Sequence, residues 1–78
     1  MLNDRELRMQ QTIIGLQRRL LKVAPAKIHR FQLRTSAAWA TDEEFQRILD
    51  AIVTSGIATR EAGKRSGEWY RSTVEARA

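Results

Sequence analysis

Six cations, Arg18, Arg19, Lys22, Lys27, Arg30 and Arg34, stand within residues 18–34 with no acid among them, and the single histidine, His29, lies in the same run. Cations in such a run can neutralise several phosphates, which gives binding that weakens steeply with salt and carries little sequence information. Lys64 and Arg65 add two more between Gly63 and Gly67. The plainer reading of the run is a solvated face of two consecutive helices. Catalytic chemistry, by contrast, lacks its parts. With one histidine and no cysteine there is no His-His or His-Cys pair for a metal and no thiol nucleophile. Ser36, Ser55, Ser66 and Ser72 have no Ser-His-acid arrangement and read as cap and turn residues. Asp42, Glu43 and Glu44 resemble a Mg²⁺ cluster in composition only, because their place just after a helix N-cap accounts for them. The segment Gly63-Lys64-Arg65-Ser66-Gly67 lacks the preceding strand and following helix of a phosphate-binding loop. The chain is expected to be a non-enzyme that needs no cofactor and takes no small-molecule substrate.

The whole sequence agrees with a polyanionic partner. Fourteen Lys and Arg against nine Asp and Glu give a net charge of +5 and a sequence pI near 10.8, a balance that suits nucleic acid or an acidic protein surface. Seventy-eight residues allow one small domain spanning residues 1–78, held by packing or a partner because no disulfide is available. No apolar run approaches the ~20 residues of a membrane span, and Met1-Leu2-Asn3-Asp4 lacks the order of a signal peptide. A cytoplasmic protein without membrane contact is expected.

The elements that must carry these cations are legible from spacing. A long first helix is predicted over about residues 4–22, with Asn3 as N-cap and Glu6 three positions on. It has two adjacent apolar stripes, Met9-Ile13-Leu16-Leu20 and Leu7-Ile14-Leu21. One packs on the domain, and the other either widens the buried face or joins a second copy. Pro25 breaks this helix and suits the first turn of the next, a short helix over about 25–34 with Ile28 and Phe31 as core contacts. Thr35 to Ala40 is the turn that follows, with Trp39 closing the core.

The third helix, about residues 41–55, carries the clearest signals. Thr41 and Glu44 form a capping box, acids fill the first turn, and Phe45, Ile48, Leu49, Ile52 and Val53 make one stripe. Gly56 suits the left-handed position past its end, and Ile57 folds back on the last turn. From Ile57 the period changes to two, and a hairpin over about 57–74 is predicted with Lys64 and Arg65 at its tip, the alternative being a loop between irregular segments. Trp69 and Tyr70 alternate across the return strand, so one packs inward and the other faces out, where it could stack on a base beside Lys64, Arg65 and Arg71. Residues Glu75 to Ala78 read as a frayed tail. The fold class is mainly α with a small antiparallel hairpin, three helices and a two-stranded wing.

The run Phe45-Gln46-Arg47-Ile48-Leu49-Asp50-Ala51-Ile52-Val53-Thr54-Ser55-Gly56-Ile57-Ala58-Thr59-Arg60-Glu61, its glycine-rich tip and Trp69-Tyr70-Arg71 resemble the winged helix-turn-helix DNA-binding superfamily. The likeness covers a little under half the chain. Leu49-Asp50-Ala51-Ile52-Val53, Gly56-Ile57 and Tyr70-Arg71 are similar, more narrowly, to the C-terminal winged-helix tails of phage and plasmid primase-helicase replication proteins. The resemblance implies a DNA partner for a small regulator of transcription or replication, or for a replication-protein domain. It also implies that the third helix approaches the major groove, offering Gln46 and Arg47, while Lys64 and Arg65 reach backbone or minor groove. Asp42, Glu43, Glu44 and Asp50 against Arg47 leave that helix at −3, which departs from the pattern. The second expectation is therefore a protein-interaction or dimerisation domain that uses the first helix and the acidic third.

Overall fold

The computed structural model describes residues 3–63 and 67–73. Three helices and a three-stranded antiparallel sheet make a small α+β fold: α1 (Asp4–Val23), β1 (Ile28–His29), α2 (Arg30–Arg34), a 3-10 turn (Thr35–Ala37), α3 (Asp42–Thr54), β2 (Ala58–Ala62) and β3 (Glu68–Ser72). The sheet order is β1-β3-β2, so the hairpin strand β3 lies in the middle. Tyr70 sits opposite Arg60 on β2 and opposite Ile28 on β1.

Each long helix is started and stopped by identifiable groups. The Asn3 side chain accepts from the Glu6 N–H at 2.8 Å to open α1. At α3 the Thr41 hydroxyl accepts from the Glu44 N–H at 3.2 Å, and the Glu44 carboxylate accepts from the Thr41 N–H at 3.0 Å, a reciprocal capping box. The C-terminal end closes as a Schellman motif. The Gly56 N–H donates to the Val53 carbonyl at 3.1 Å and the Ile57 N–H to the Ile52 carbonyl at 2.9 Å, with Gly56 at φ 79°. Nothing lies within 4 Å of a Cβ built on Gly56, so backbone conformation alone demands glycine there. Gly56→Ala is expected to cost about 1–2 kcal/mol, readable as a shift in the urea midpoint; an unshifted midpoint would mean that this left-handed turn does not form.

The core joins Leu16 and Leu20 of α1, Ile28 of β1, Leu33 of α2, Ala37, Ala40, Ala58 and Tyr70 to Phe45, Ile48, Leu49 and Ile52 of α3. Met9 and Ile13 pack against its edge, so the Met9-Ile13-Leu16-Leu20 stripe is the inward one. Leu7, Ile14 and Leu21 stay 47%, 49% and 40% exposed.

Three expectations need correction: the start of the second helix, the two-stranded wing and the inward place of Phe31. The Ala24–Pro25 peptide bond is cis, and the second helix begins at Arg30 rather than at Pro25, because Ile28 and His29 pair with Tyr70 and Trp69 as a third strand. The wing is thus part of a three-stranded sheet, not a two-stranded one. Shifting the helix start also reverses the role of Phe31. In a five-residue α2 the inward position falls to Leu33, which is fully buried, and Phe31 points outward at 77% exposure. His29 caps α2: its Nδ1 accepts from the Phe31 N–H at 3.1 Å. On β3 it is Tyr70 that packs inward, fully buried, and Trp69 is half-buried against His29 with ring centroids 4.9 Å apart.

Candidate nucleic-acid interface

Most of the expected phosphate contacts already have partners within the fold. Arg19 staples α1 to α2, its Nη1 donating to the Gln32 carbonyl at 2.9 Å and the Ser36 hydroxyl at 2.8 Å. Arg34 donates to the Ala37 and Ala40 carbonyls and pairs with Asp42 at 3.4 Å. Arg30 pairs with Glu68 at 3.1 Å and donates to Gln46 at 2.7 Å. The two guanidinium groups lie 5.3 and 5.1 Å from the Phe45 ring centroid, so both help to cover the core. Lys27 and Arg71 each stand 3.4 Å from a Glu61 oxygen, and Lys27 also lies over the Trp69 ring at 5.4 Å.

The acidic helix is balanced in the same way. The Arg5 guanidinium forms a two-pronged pair with Glu44; with the Thr41 N–H it holds that carboxyl down to about 2. Arg60 pairs with Asp50 at 2.7 Å, and Arg34 serves Asp42. Three of the four α3 carboxylates therefore face a guanidinium, which removes most of the repulsion that composition implies. Gln46 is committed as well, its Nε2 donating to Asp50 at 3.0 Å while its Oε1 takes Arg30. Arg47 is exposed and has no ion pair among the described residues. Lys64 and Arg65 lie outside the described residues, as does the 75–78 tail.

Apart from Arg47, the uncompensated cations among the described residues lie on α1. Among the described residues, Arg18 and Lys22 are exposed and unpaired, and Arg8 meets only the Trp39 ring, at 5.9 Å. Spacing explains why they gather: Asp4, Arg8, Gln11, Gly15, Arg18 and Lys22 follow one another at steps of four, three, four, three and four along the helix. Arg8, Gln11, Thr12, Gly15, Ser36 and Trp39 line a shallow groove beside this stripe. The Trp39 indole N–H donates to the Thr12 hydroxyl at 3.1 Å and fixes the groove wall. Gly15 is exposed, and a Cβ built there meets nothing within 4 Å, so the helix backbone is open to close approach. Arg8 and this groove escape a reading based on cation density, since Arg8 lies ten residues before Arg18; the four-three spacing is the signal that finds them.

The fold and face together define a small three-helix α+β protein with a basic flank on its longest helix. No protein-family model, curated protein or solved structure matches the chain.

Proposed function

We propose that this protein is a non-enzymatic winged-helix module that binds DNA through phosphate contacts, with the flank of α1 and the β2–β3 tip as the contacting parts. One observation carries the reading: Arg8, Arg18 and Lys22 share one helix stripe and have no carboxylate partner among the described residues, whereas Lys27, Arg30, Arg34, Arg60 and Arg71 are ion-paired. The winged-helix assignment is supported by the order helix, short helix, capped helix, hairpin. The third strand ties the hairpin to the connection between α1 and α2 and is compatible with that order. Within it α3 is a positioning element more than a base reader, because its amide and three of its acids are already engaged.

Such a flank predicts modest, sequence-tolerant binding. Nonspecific affinities of this kind fall at dissociation constants of roughly 10⁻⁴–10⁻⁶ M at physiological salt, and each neutralised phosphate contributes about −0.9 to the slope of log K against log salt on duplex DNA. Fluorescence anisotropy with a labelled duplex and the matching single strand at two salt concentrations measures both. Arg18→Ala with Lys22→Ala is expected to reduce the duplex slope by about 2. Absence of binding at low salt would remove the proposal, and an unchanged slope in the double variant would move the contact away from α1.

A further inference from the structure

Gly15 has no role inside the fold. It lies in the interior of the 20-residue helix α1, where glycine is less favourable than alanine. Its backbone is that of an ordinary helix, without the positive φ that Gly56 needs. A Cβ at this position would meet nothing within 4 Å, so no neighbour in the chain requires the space. The open position belongs to the groove that Arg8, Gln11, Thr12, Ser36 and Trp39 also line. It also falls on the cationic stripe, between Arg8 on one side and Arg18 and Lys22 on the other. We propose that this groove seats one phosphate of the DNA backbone against Gly15, held by the Thr12 and Ser36 hydroxyls and by Arg8, and that the seat sets the register of the strand along Arg18 and Lys22.

The fold sets the polarity of the groove. A hydroxyl has one proton to donate and two lone pairs with which to accept. Thr12 accepts from the Trp39 indole N–H at 3.1 Å, and Ser36 accepts from the Arg19 guanidinium at 2.8 Å. Neither hydroxyl donates its own proton to a group among the described residues, so both protons are available to a ligand. Arg19 also places its positive charge behind Ser36. Arg8, which meets only the Trp39 ring among the described residues, can leave that ring for an anion. No carboxylate among the described residues lines the groove; Asp4, one turn before Arg8, lines the neighbouring one. Donors from two elements with no acid between them suit an oxyanion. A strand rather than a single anion is the occupant because the flank continues: Arg18 and Lys22, one and two turns past Gly15, face solvent and meet further phosphates of the same backbone. Gly15 then has its reason, since a residue without a side chain lets that backbone come close to the helix.

The seat rests on the DNA reading, and the test separates the two. Gly15→Leu fills the groove without changing charge, and it is expected to unfold at a higher urea concentration than the wild type because leucine is the better helix former. On a duplex of about 20 bp it is expected to bind about tenfold more weakly, with the salt slope reduced by about 0.9, the share of one phosphate. Ser36→Ala removes one donor and leaves Arg19 its contact with the Gln32 carbonyl; it too is expected to bind about tenfold more weakly. Wild-type affinity in either variant overturns the seat while leaving the phosphate contacts of Arg18 and Lys22 intact. A wild type that binds no duplex at low salt overturns the DNA reading and the seat together. In a Trp69→Phe background Trp39 is the one tryptophan left, and the duplex is expected to shift its emission as Arg8 leaves the ring. Unaltered emission at saturating duplex overturns the seat. The same shift produced by millimolar sodium phosphate at constant ionic strength overturns the strand as occupant in favour of a free anion.

Discussion

Leu16→Ala is expected to lower the free energy of unfolding by about 2–5 kcal/mol, a large part of the ~5–15 kcal/mol that a small domain holds. Leu16 is fully buried and belongs to the central cluster with Phe45, Ile48, Leu49 and Tyr70. Removing its isobutyl branch loses the transfer free energy of the buried carbons and leaves a cavity that helices pinned at both ends cannot fill. Leu7→Ala removes the same atoms from the same helix at a site 47% exposed and is expected to change monomer stability by no more than about 0.5 kcal/mol. Urea denaturation of the two variants at low protein concentration compares the stripes directly. Equal losses would mean that α1 is rotated from the orientation described.

The second large effect belongs to Tyr70. Its hydroxyl donates to Glu68 at 2.9 Å and accepts from the Arg60 Nε at 2.9 Å. Arg60 continues to Asp50, Asp50 to Gln46, Gln46 to Arg30 and Arg30 back to Glu68. Six side chains from α2, α3, β2 and β3 thus close a ring. Tyr70→Phe keeps the buried volume and deletes the one atom that bridges Arg60 and Glu68, so a loss of about 1–3 kcal/mol is expected.

The same ring gives a pH signature. Hydrogen bonds from Tyr70 and Arg30 hold Glu68 below the usual carboxylate range, and those from Arg60 and Gln46 do so for Asp50. The unfolded chain takes up these protons first as pH falls, so this stabilisation is complete above the ordinary carboxylate range and lost on acidification. Glu44, held at about 2, loses its share as pH falls from its ordinary 4.5 toward 2. Burial, then the Glu68 hydrogen bond, pushes the Tyr70 hydroxyl above its ordinary 10.0. Its contribution is therefore complete below that value and lost at higher pH. Tyr70→Phe should flatten the alkaline limb and weaken the Glu68 part of the acid limb; unaltered limbs in a stability-against-pH series would mean the ring is not formed in solution.

How much of this was legible depended on the range of the forces involved. The third helix was readable because its determinants are local: Thr41 and Glu44 are three residues apart, and Gly56 closes the same helix. The two stripes of α1 were readable as well, and packing decided which one turned inward. The start of α2 was not, since histidine is outside the usual N-cap residues and Pro25 favoured an earlier start; Phe31 was misplaced with it. The cation run divided for a different reason. Arg30 finds Glu68 thirty-eight residues away, and Arg5 finds Glu44 thirty-nine away, so charge spacing along the chain could not separate cations held by the fold from those left open.

The closed ring around Tyr70 also acts as a register check on the hairpin. A shift of β3 by one residue would turn Tyr70 out of the core, and such a slip is opposed by burial alone. A shift by two would keep the inward face inward but bring Glu68 or Ser72 opposite Arg60 in place of Tyr70, leaving the hydroxyl away from both partners. The alternation of faces alone cannot distinguish that second slip, which moves Tyr70 along the sheet instead of turning it outward. The polar ring does, and so it selects the strand alignment among neighbours that hydrophobic patterning would accept.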